Sequence, residues 1–375
     1  MNFPGTPDKR WFEVENPESV NSPSLLIYAD RVEQNLTRMI SVAGHVNKIR
    51  PHVKTHKMSG IIHLMIKRGV FKFKCATISE AEMVAACGAN DILLACQPVG
   101  PNIERYFNLI RNFPGTKFSC IADCENIIRQ LSESAAERSL EAGIWLDINN
   151  GMNRTGVAPG EKALRLYRLA SSLPSLVVEG LHVYDGHIHV ADPGVRKRMC
   201  DDAYATVESL ISRLEISGFS RIKVVAGGSP TFPFHAARPG VDTSPGTIIL
   251  WDYGYSSSFP EMGFVHAAAL LTRVISKPSE DIICLDLGHK AVASEMPHPR
   301  VMIPGVRDFE VLHHNEEHLA IKSGVFRKLD TGDHIYAIPV HICPTVDRYD
   351  TVAVVRSGKV TEEWDVDARK RKISV

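Results

Sequence analysis

The chain has 375 residues, of which 44% are apolar and 23% charged, the composition of a folded protein with a sizeable core. Lysine plus arginine number 43 and aspartate plus glutamate 43, so the formal charge is zero and no basic face for nucleic acid or a membrane surface is expected. The apolar runs at 248–251 and 267–271 fall far short of the roughly 20 residues that a membrane helix needs. The first residues show no charged-then-apolar leader, and the eight cysteines include no CxxC pair. Reduced thiols and a cytoplasmic setting are expected.

A β-branched run at 24–29 (SLLIYA) leads into a helix capped by Asp30. Eight further strand candidates follow, at 49–54, 73–78, 91–96, 117–122, 143–149, 176–184, 222–226 and 247–252. Amphipathic stretches separate most of them; from Arg196 to Ile216, Val207, Leu210, Ile211 and Leu214 recur at helical spacing. Parallel strands alternating with helices predict an α/β fold, a (β/α)8 TIM-like barrel over residues 22–265. An open doubly wound sheet is the alternative reading. Beyond residue 265 the segments are short, β-rich and broken by turn signals, which predicts a mostly antiparallel β-domain over residues 266–375. Residues 1–21 are expected to pack on that domain.

Five segments carry candidate chemistry. In RPHVKTHK, alternation places Arg50, His52 and Lys54 on one strand face, a costly arrangement inside a barrel unless a site uses it. Lys54 falls at the C-terminal end of that strand, the catalytic rim of a barrel, and a surface lysine is the plain alternative. AGGSPT follows the seventh predicted barrel strand; Gly227 and Gly228 let backbone amides approach an anion and Ser229 adds a hydroxyl, although a simple Gly-Gly turn reads the same way. GMNRTG presents Arg154, either a clamp for a phenolate, carboxylate or phosphate or a solvated loop residue. VYDGHIH ends the sixth strand with Tyr184 and an HxH pair, His187 and His189, which can bind metal or simply hydrogen-bond in the rim. In PVHICPT, His341 and Cys343 project from one face of what reads as an irregular, exposed strand. Imidazole and thiolate suit zinc, and a buried structural cysteine beside a histidine is the alternative.

RPHVKTHK, CATISEAE, GMNRTG, VYDGH, AGGSPT, NEEH and PVHICPT, in that order, resemble the D-threonine aldolase and D-serine dehydratase group. These are fold-type III pyridoxal-phosphate enzymes with an alanine-racemase-like N-terminal barrel and a C-terminal β-domain. The likeness runs over roughly residues 20–350. It implies that Lys54 carries pyridoxal 5'-phosphate as an internal aldimine, with Arg154 near O3′ and Tyr184 and Thr77 lining the ring. Gly227, Gly228 and Ser229 would hold the phosphate with Asp252 or Tyr255 nearby, and His341 and Cys343 would bind a divalent metal, zinc or manganese. The base histidine of the group matches either His187 or His189. A homodimer is implied by the same resemblance.

The implied reaction is a lyase step on a D-β-hydroxy amino acid. Cys343, where aldolases of the group tend to carry aspartate, tilts the reading toward dehydration and deamination of D-serine or D-3-hydroxyaspartate. Cleavage of D-threonine to glycine and aldehyde is the alternative. A racemase would need a catalytic tyrosine from the β-domain, and no convincing motif supplies one. A non-catalytic pyridoxal-phosphate carrier of the single-barrel kind would lack both the β-domain and the HxC pair. A metal-dependent hydrolase barrel carries its HxH on the first strand and would leave Lys54 and the GGS loop without a role.

Overall fold

The computed structural model describes residues 11–375. It contains two compact units, one made of residues 11–38, Thr55–Gly60 and Thr247–Val366, the other of Met39–Lys54, Ile61–Gly246 and Asp367–Val375. Among the described residues no helix is long and apolar enough to cross a membrane.

The second unit is built on seven parallel strands that neighbour one another in chain order: Lys72–Cys75, Asp91–Leu94, Lys117–Ala122, Ala142–Ile148, Leu176–Val183, Val224–Ala226 and Val241–Thr243. Helices connect them. In Pro101–Asn112 the proline stands at the helix start, where a missing N–H costs nothing, and Ile103, Tyr106, Phe107 and Leu109 turn inward. Each such side chain stabilises the unit by about 1.5–3 kcal/mol relative to exposure. In Pro193–Ile216, Asp192 caps the start by accepting from Val195 N at 2.7 Å, and Cys200, Val207, Leu210 and Leu214 are buried. Leu93, Ile121, Trp145 and Val225, from four different strands, form a cluster inside the sheet.

The eighth stave departs from the expected strand at 49–54. Only isolated bridges form, Ile49 with Thr243 and His52 with Lys74. Arg50 N donates to Thr243 O and His52 N to Pro245 O, while Lys74 N donates to Pro51 O, so this segment bonds to both edges of the sheet and closes it. Pro51 has no N–H, and the chain turns into a 3-10 helix at Val53–Thr55, so a regular ladder cannot continue. Consequently Arg50 does not share a rim with Lys54. It is 2% exposed and bonds Asp91 through both guanidinium ends at 2.8 and 2.7 Å, beside the N-terminal ends of the strands, where Asp91 begins its own.

Two other strand expectations also change. Residues 24–29 form a strand, Ser24–Tyr28, but it belongs to the other unit, paired antiparallel to Ala268–Ser279 and parallel to Thr351–Arg356. Residues 247–252 start as a 3-10 helix, Thr247–Ile249, and the last barrel strand is the three-residue Val241–Thr243.

The first unit carries a nine-stranded, mostly antiparallel sheet centred on Ala268–Ser279, which pairs with Ser24–Tyr28, Ile282–Leu285 and His334–Pro339. Val14 and Val20 join Leu26, Tyr28, Ala269, Leu271, Tyr336 and Val355 in its core, and Val14 N donates to the Tyr336 hydroxyl at 3.1 Å. The expectation for residues 1–10 lies outside the described residues.

Candidate active site

A cavity of about 300 Å³ opens at the C-terminal ends of the parallel strands, lined among others by Lys54, Lys74, Arg154, His182 and Tyr184. Three cations surround one aromatic ring there. Arg154 lies 4.8 Å, Lys74 5.5 Å and Lys54 5.9 Å from the Tyr184 ring centre. Asp147 and His182, neighbours across two strands, are hydrogen-bonded at 2.7 Å through His182 Nδ1. Burial lowers the pKa of His182 against the pull of Asp147. The Asp147 carboxyl is pushed up by burial, but its bond to His182 outweighs this and holds it below the ordinary value. His182 Nε2 is buried without a partner among the described residues. An amine, a guanidinium, an aromatic face and an orphaned buried nitrogen around one cavity fit a flat, polar, anionic cofactor such as pyridoxal phosphate.

The glycine loop is braced from below. Gly227 has φ +78°, and a Cβ there would stand 2.6 Å from His235 Cδ2. Its own N–H donates to Val183 O at 2.9 Å, so Gly227 contributes conformation rather than a free donor. Gly228 N reaches Thr231 Oγ1 at 3.3 Å, Thr231 donates to Asp185 Oδ1 at 2.8 Å, and Asp185 Oδ2 meets His235 Nε2 at 2.8 Å. Ser229 is buried, its hydroxyl accepting from Gly246 N at 3.2 Å. Cys200 Sγ lies 3.4 Å from His235 Nε2. Asp185, Cys200 and His235 are the three-residue group among the described residues whose donor atoms lie close enough for a metal, and here they bond one another. Sequence reasoning singled out neither Cys200 nor His235, and Asp185 only as part of VYDGH.

The remaining candidates are placed differently. Thr77 caps the helix Ile78–Ala86 by accepting from Glu80 N at 3.1 Å, and it is Ala76 that lines the cavity. His187 packs on the GMNRTG loop, where a Cβ at Gly151 would come within 2.8 Å of its Nε2, while His189 is exposed. Neither histidine is among the residues lining the cavity, and neither joins a three-ligand group among the described residues. The local reason is that the segment is irregular after Val183, without the strand geometry that would align i and i+2.

Asp252, Tyr255, His341 and Cys343 belong to the other unit. Asp252 caps the helix Tyr253–Ser258 through Tyr255 N at 2.9 Å, and its second oxygen accepts from Ile342 N at 2.9 Å. Burial pushes this carboxyl up to about 6 even though both backbone donors oppose the shift. Tyr255 stacks edge-on against Trp251 and Phe259, 5.4 and 5.5 Å away.

The HxC segment is not an extended strand. His334–Pro339 ends first, His341 is the extended cap residue of the helix Ile342–Val346, and Cys343 lies in its first turn. The cysteine is therefore half-buried, its Sγ 3.2 Å from Thr55 Oγ1 and 3.5 Å from Thr247 Oγ1. Thr55 directly follows Lys54 in the chain. Burial would raise the Cys343 pKa, but His341 and the two hydroxyls outweigh it and lower the value. Burial opposes protonation of His341, yet Cys343, Asp252 and Glu295 together raise it to about 9. His341 Nδ1 meets Glu295 Oε1 at 2.5 Å. A thiolate-prone sulfur beside an imidazole whose other nitrogen is oriented by a carboxylate fits a divalent metal such as zinc.

Residues 27–252 match the alanine racemase N-terminal domain family, and residues 267–355 match the putative serine dehydratase domain. The chain is 28% identical to a D-threonine aldolase of Arthrobacter sp. over 93% of both proteins. It is also 28% identical to a 3-hydroxy-D-aspartate aldolase of Paracoccus denitrificans, over 93% of this chain and 92% of that one. The crystal structure of a D-threonine aldolase from Filomicrobium marinum superposes with a TM-score of 0.85 at 29% identity, covering 95% of this chain and 98% of the other. A two-part match across both units, together with the lysine-centred barrel cavity, means that this chain belongs to the alanine racemase N-terminal domain family, in its D-threonine aldolase group of fold-type III pyridoxal-phosphate proteins.

Proposed function

We propose that this protein is a pyridoxal-phosphate- and divalent-metal-dependent lyase of D-β-hydroxy amino acids, with dehydration and deamination as its reaction. The observation that carries the first part is the cavity in which Lys54, Arg154 and Tyr184 converge. The activities of the relatives, on D-threonine and 3-hydroxy-D-aspartate by their names, support the substrate class. Cys343 beside His341, where aldolases of the group tend to carry aspartate, favours dehydration. Aldol cleavage is the second reading, favoured by the aldolase names of the relatives that match along nearly the whole chain.

Bound pyridoxal phosphate supplies the electron sink for a bond broken at Cα. Lys54 Nζ anchors it and takes the Cα proton, and Arg154 pairs with its anionic oxygen. Tyr184 gives the ring a face to pack on. The glycine loop, held by Thr231 and Asp185, would position the phosphate through the Ser229 hydroxyl, the Gly228 N–H being directed to Thr231. His341 and Cys343 would hold a divalent metal such as zinc, with Glu295 fixing the imidazole. A cytoplasmic homodimer is part of the same reading.

The test begins with the visible spectrum of protein reconstituted with pyridoxal phosphate, followed by borohydride reduction and mapping of the modified residue. Label on Lys54 is expected; an unlabelled Lys54 refutes the assignment. D-serine, D-threonine and D-3-hydroxyaspartate with zinc or manganese then separate the reactions. Keto acid plus ammonia marks dehydration, and glycine plus aldehyde marks aldol cleavage.

A further inference from the structure

A second amine shares the Lys54 cavity, and neither the motifs nor the proposed reaction uses it. Lys74 lies in the strand Lys72–Cys75, in register with Leu93, and its side chain points into the barrel, 2% exposed, reaching the cavity wall. The neighbouring strands fill that interior with Leu93, Ile121 and Val225. An apolar residue would satisfy the packing there, and a buried ammonium without a counter-charge is costly.

No surrounding group among the described residues bonds its amine. Lys54 and Arg154 face it with the same sign. Asp147 and Asp185 attract it, but each is hydrogen-bonded to a histidine, His182 and His235. Its backbone neighbour His52 and the ring of Tyr184 complete the surroundings. Among the described residues no hydrogen bond or ion pair reaches its Nζ, and burial followed by repulsion from Lys54 lowers its pKa to about 7. Asp123 also lines the cavity, accepting from Gly156 N at 3.0 Å, so Asp123, Asp147 and Asp185 face Lys54, Lys74 and Arg154, and none of the three carboxylates bonds the Lys74 amine.

We propose that Lys74 is a positioning residue whose ammonium sets the charge environment of the cofactor held at Lys54. The inference rests on the cofactor assignment above and adds to it a residue the motifs do not mark. An anionic oxygen of the bound cofactor would give this unbonded amine a close counter-charge and favour its protonated form. That fixed charge in turn opposes any further positive charge at the Lys54 linkage and favours the negatively charged form of the ring oxygen.

The experiment uses full-length protein reconstituted with pyridoxal phosphate. Borohydride labelling of Lys54 comes first, then titration of the bound cofactor's visible absorbance from pH 6 to 10 for wild type, Lys74→Met and Lys74→Arg. Removing the charge is expected to raise the midpoint of Lys74→Met by about one pH unit, a tenfold gain in proton affinity. Lys74→Arg, which keeps the charge, should stay near wild type. A residue that merely fills space would leave both midpoints in place. If the wild type is labelled at Lys54 and Lys74→Met titrates at the wild-type pH, or if Lys74→Arg shifts as far as Lys74→Met, the inference fails alone. If the wild type takes no label at Lys54, the cofactor assignment fails with it. Should Lys74→Met not fold, Lys74→Gln carries the same expectation and the same refutation.

Discussion

Arg50→Met separates the two ends of the barrel, because Arg50 stands four residues from Lys54 in the chain yet serves packing at the opposite ends of the strands. The guanidinium side chain is 2% exposed and its Asp91 partner 25%, joined by two bonds of 2.8 and 2.7 Å. Removing one member of a buried pair typically costs about 3–5 kcal/mol. Lys72 and Lys117 remain near Asp91 and a quarter of its side chain meets solvent, which reduces the expected loss to about 2–3 kcal/mol. For a unit of this size that corresponds to a melting temperature lower by on the order of 5–10 °C. The pH dependence has a definite sign. Burial pushes the Asp91 carboxyl up, the Arg50 bonds outweigh it, and the folded value lies below the ordinary one. The pair therefore stabilises the fold above the unfolded value of about 4, and that contribution is lost as pH falls through the folded value. Arg50→Met should show a shallower acid limb than wild type. Urea unfolding followed by tryptophan fluorescence reads this directly, since Trp145 is the unit's tryptophan and lies 5.8 Å from the Arg50 guanidinium carbon. Lys54 labelling should survive under native conditions. A loss below about 1 kcal/mol, or a loss of cofactor without a loss of stability, would refute the placement of Arg50.

Gly227→Ala puts a Cβ against His235 Cδ2 at a φ of +78°, so a loss of about 1–3 kcal/mol in stability is expected, with cofactor affinity at least tenfold weaker by spectral titration. Unchanged affinity would remove the loop from the cofactor site. Cys343→Ala should lower bound zinc per chain, measured by elemental analysis after dialysis, while leaving Lys54 labelling intact; full metal content in the variant would exclude Cys343 as a ligand.

Much of the parallel core was legible because its strands are short apolar runs between amphipathic helices. Six of the candidates, 73–78, 91–96, 117–122, 143–149, 176–184 and 222–226, overlap strands of the sheet. The misplacements share a cause. A β-branched run such as SLLIYA announces a strand but not its partners, and those lie some 240 and 320 residues further on, at Ala268–Ser279 and Thr351–Arg356. In 49–54 the alternation is genuine, yet Pro51 interrupts the ladder, so equal spacing does not send Arg50 and Lys54 to one rim. Lys74 escaped notice because period two separates the faces of a strand without saying which face is the barrel interior, and a lysine suggests water by default.

The coupling between motifs was not legible at all, and it changes how they should be read. VYDGH and AGGSPT look like independent rim loops after adjacent strands. Asp185 joins them, with one oxygen on Thr231 and the other on His235, so the carboxylate of the first motif holds the backbone turn of the second. Gly227 must be glycine because His235 occupies the place of its Cβ, and His235 can sit there because Asp185 fixes its ring. A glycine loop built this way depends on a residue more than 40 positions earlier in the chain. Neither motif alone therefore predicts the conformation of this loop. Their co-occurrence does, through a buried network whose members no local pattern identifies.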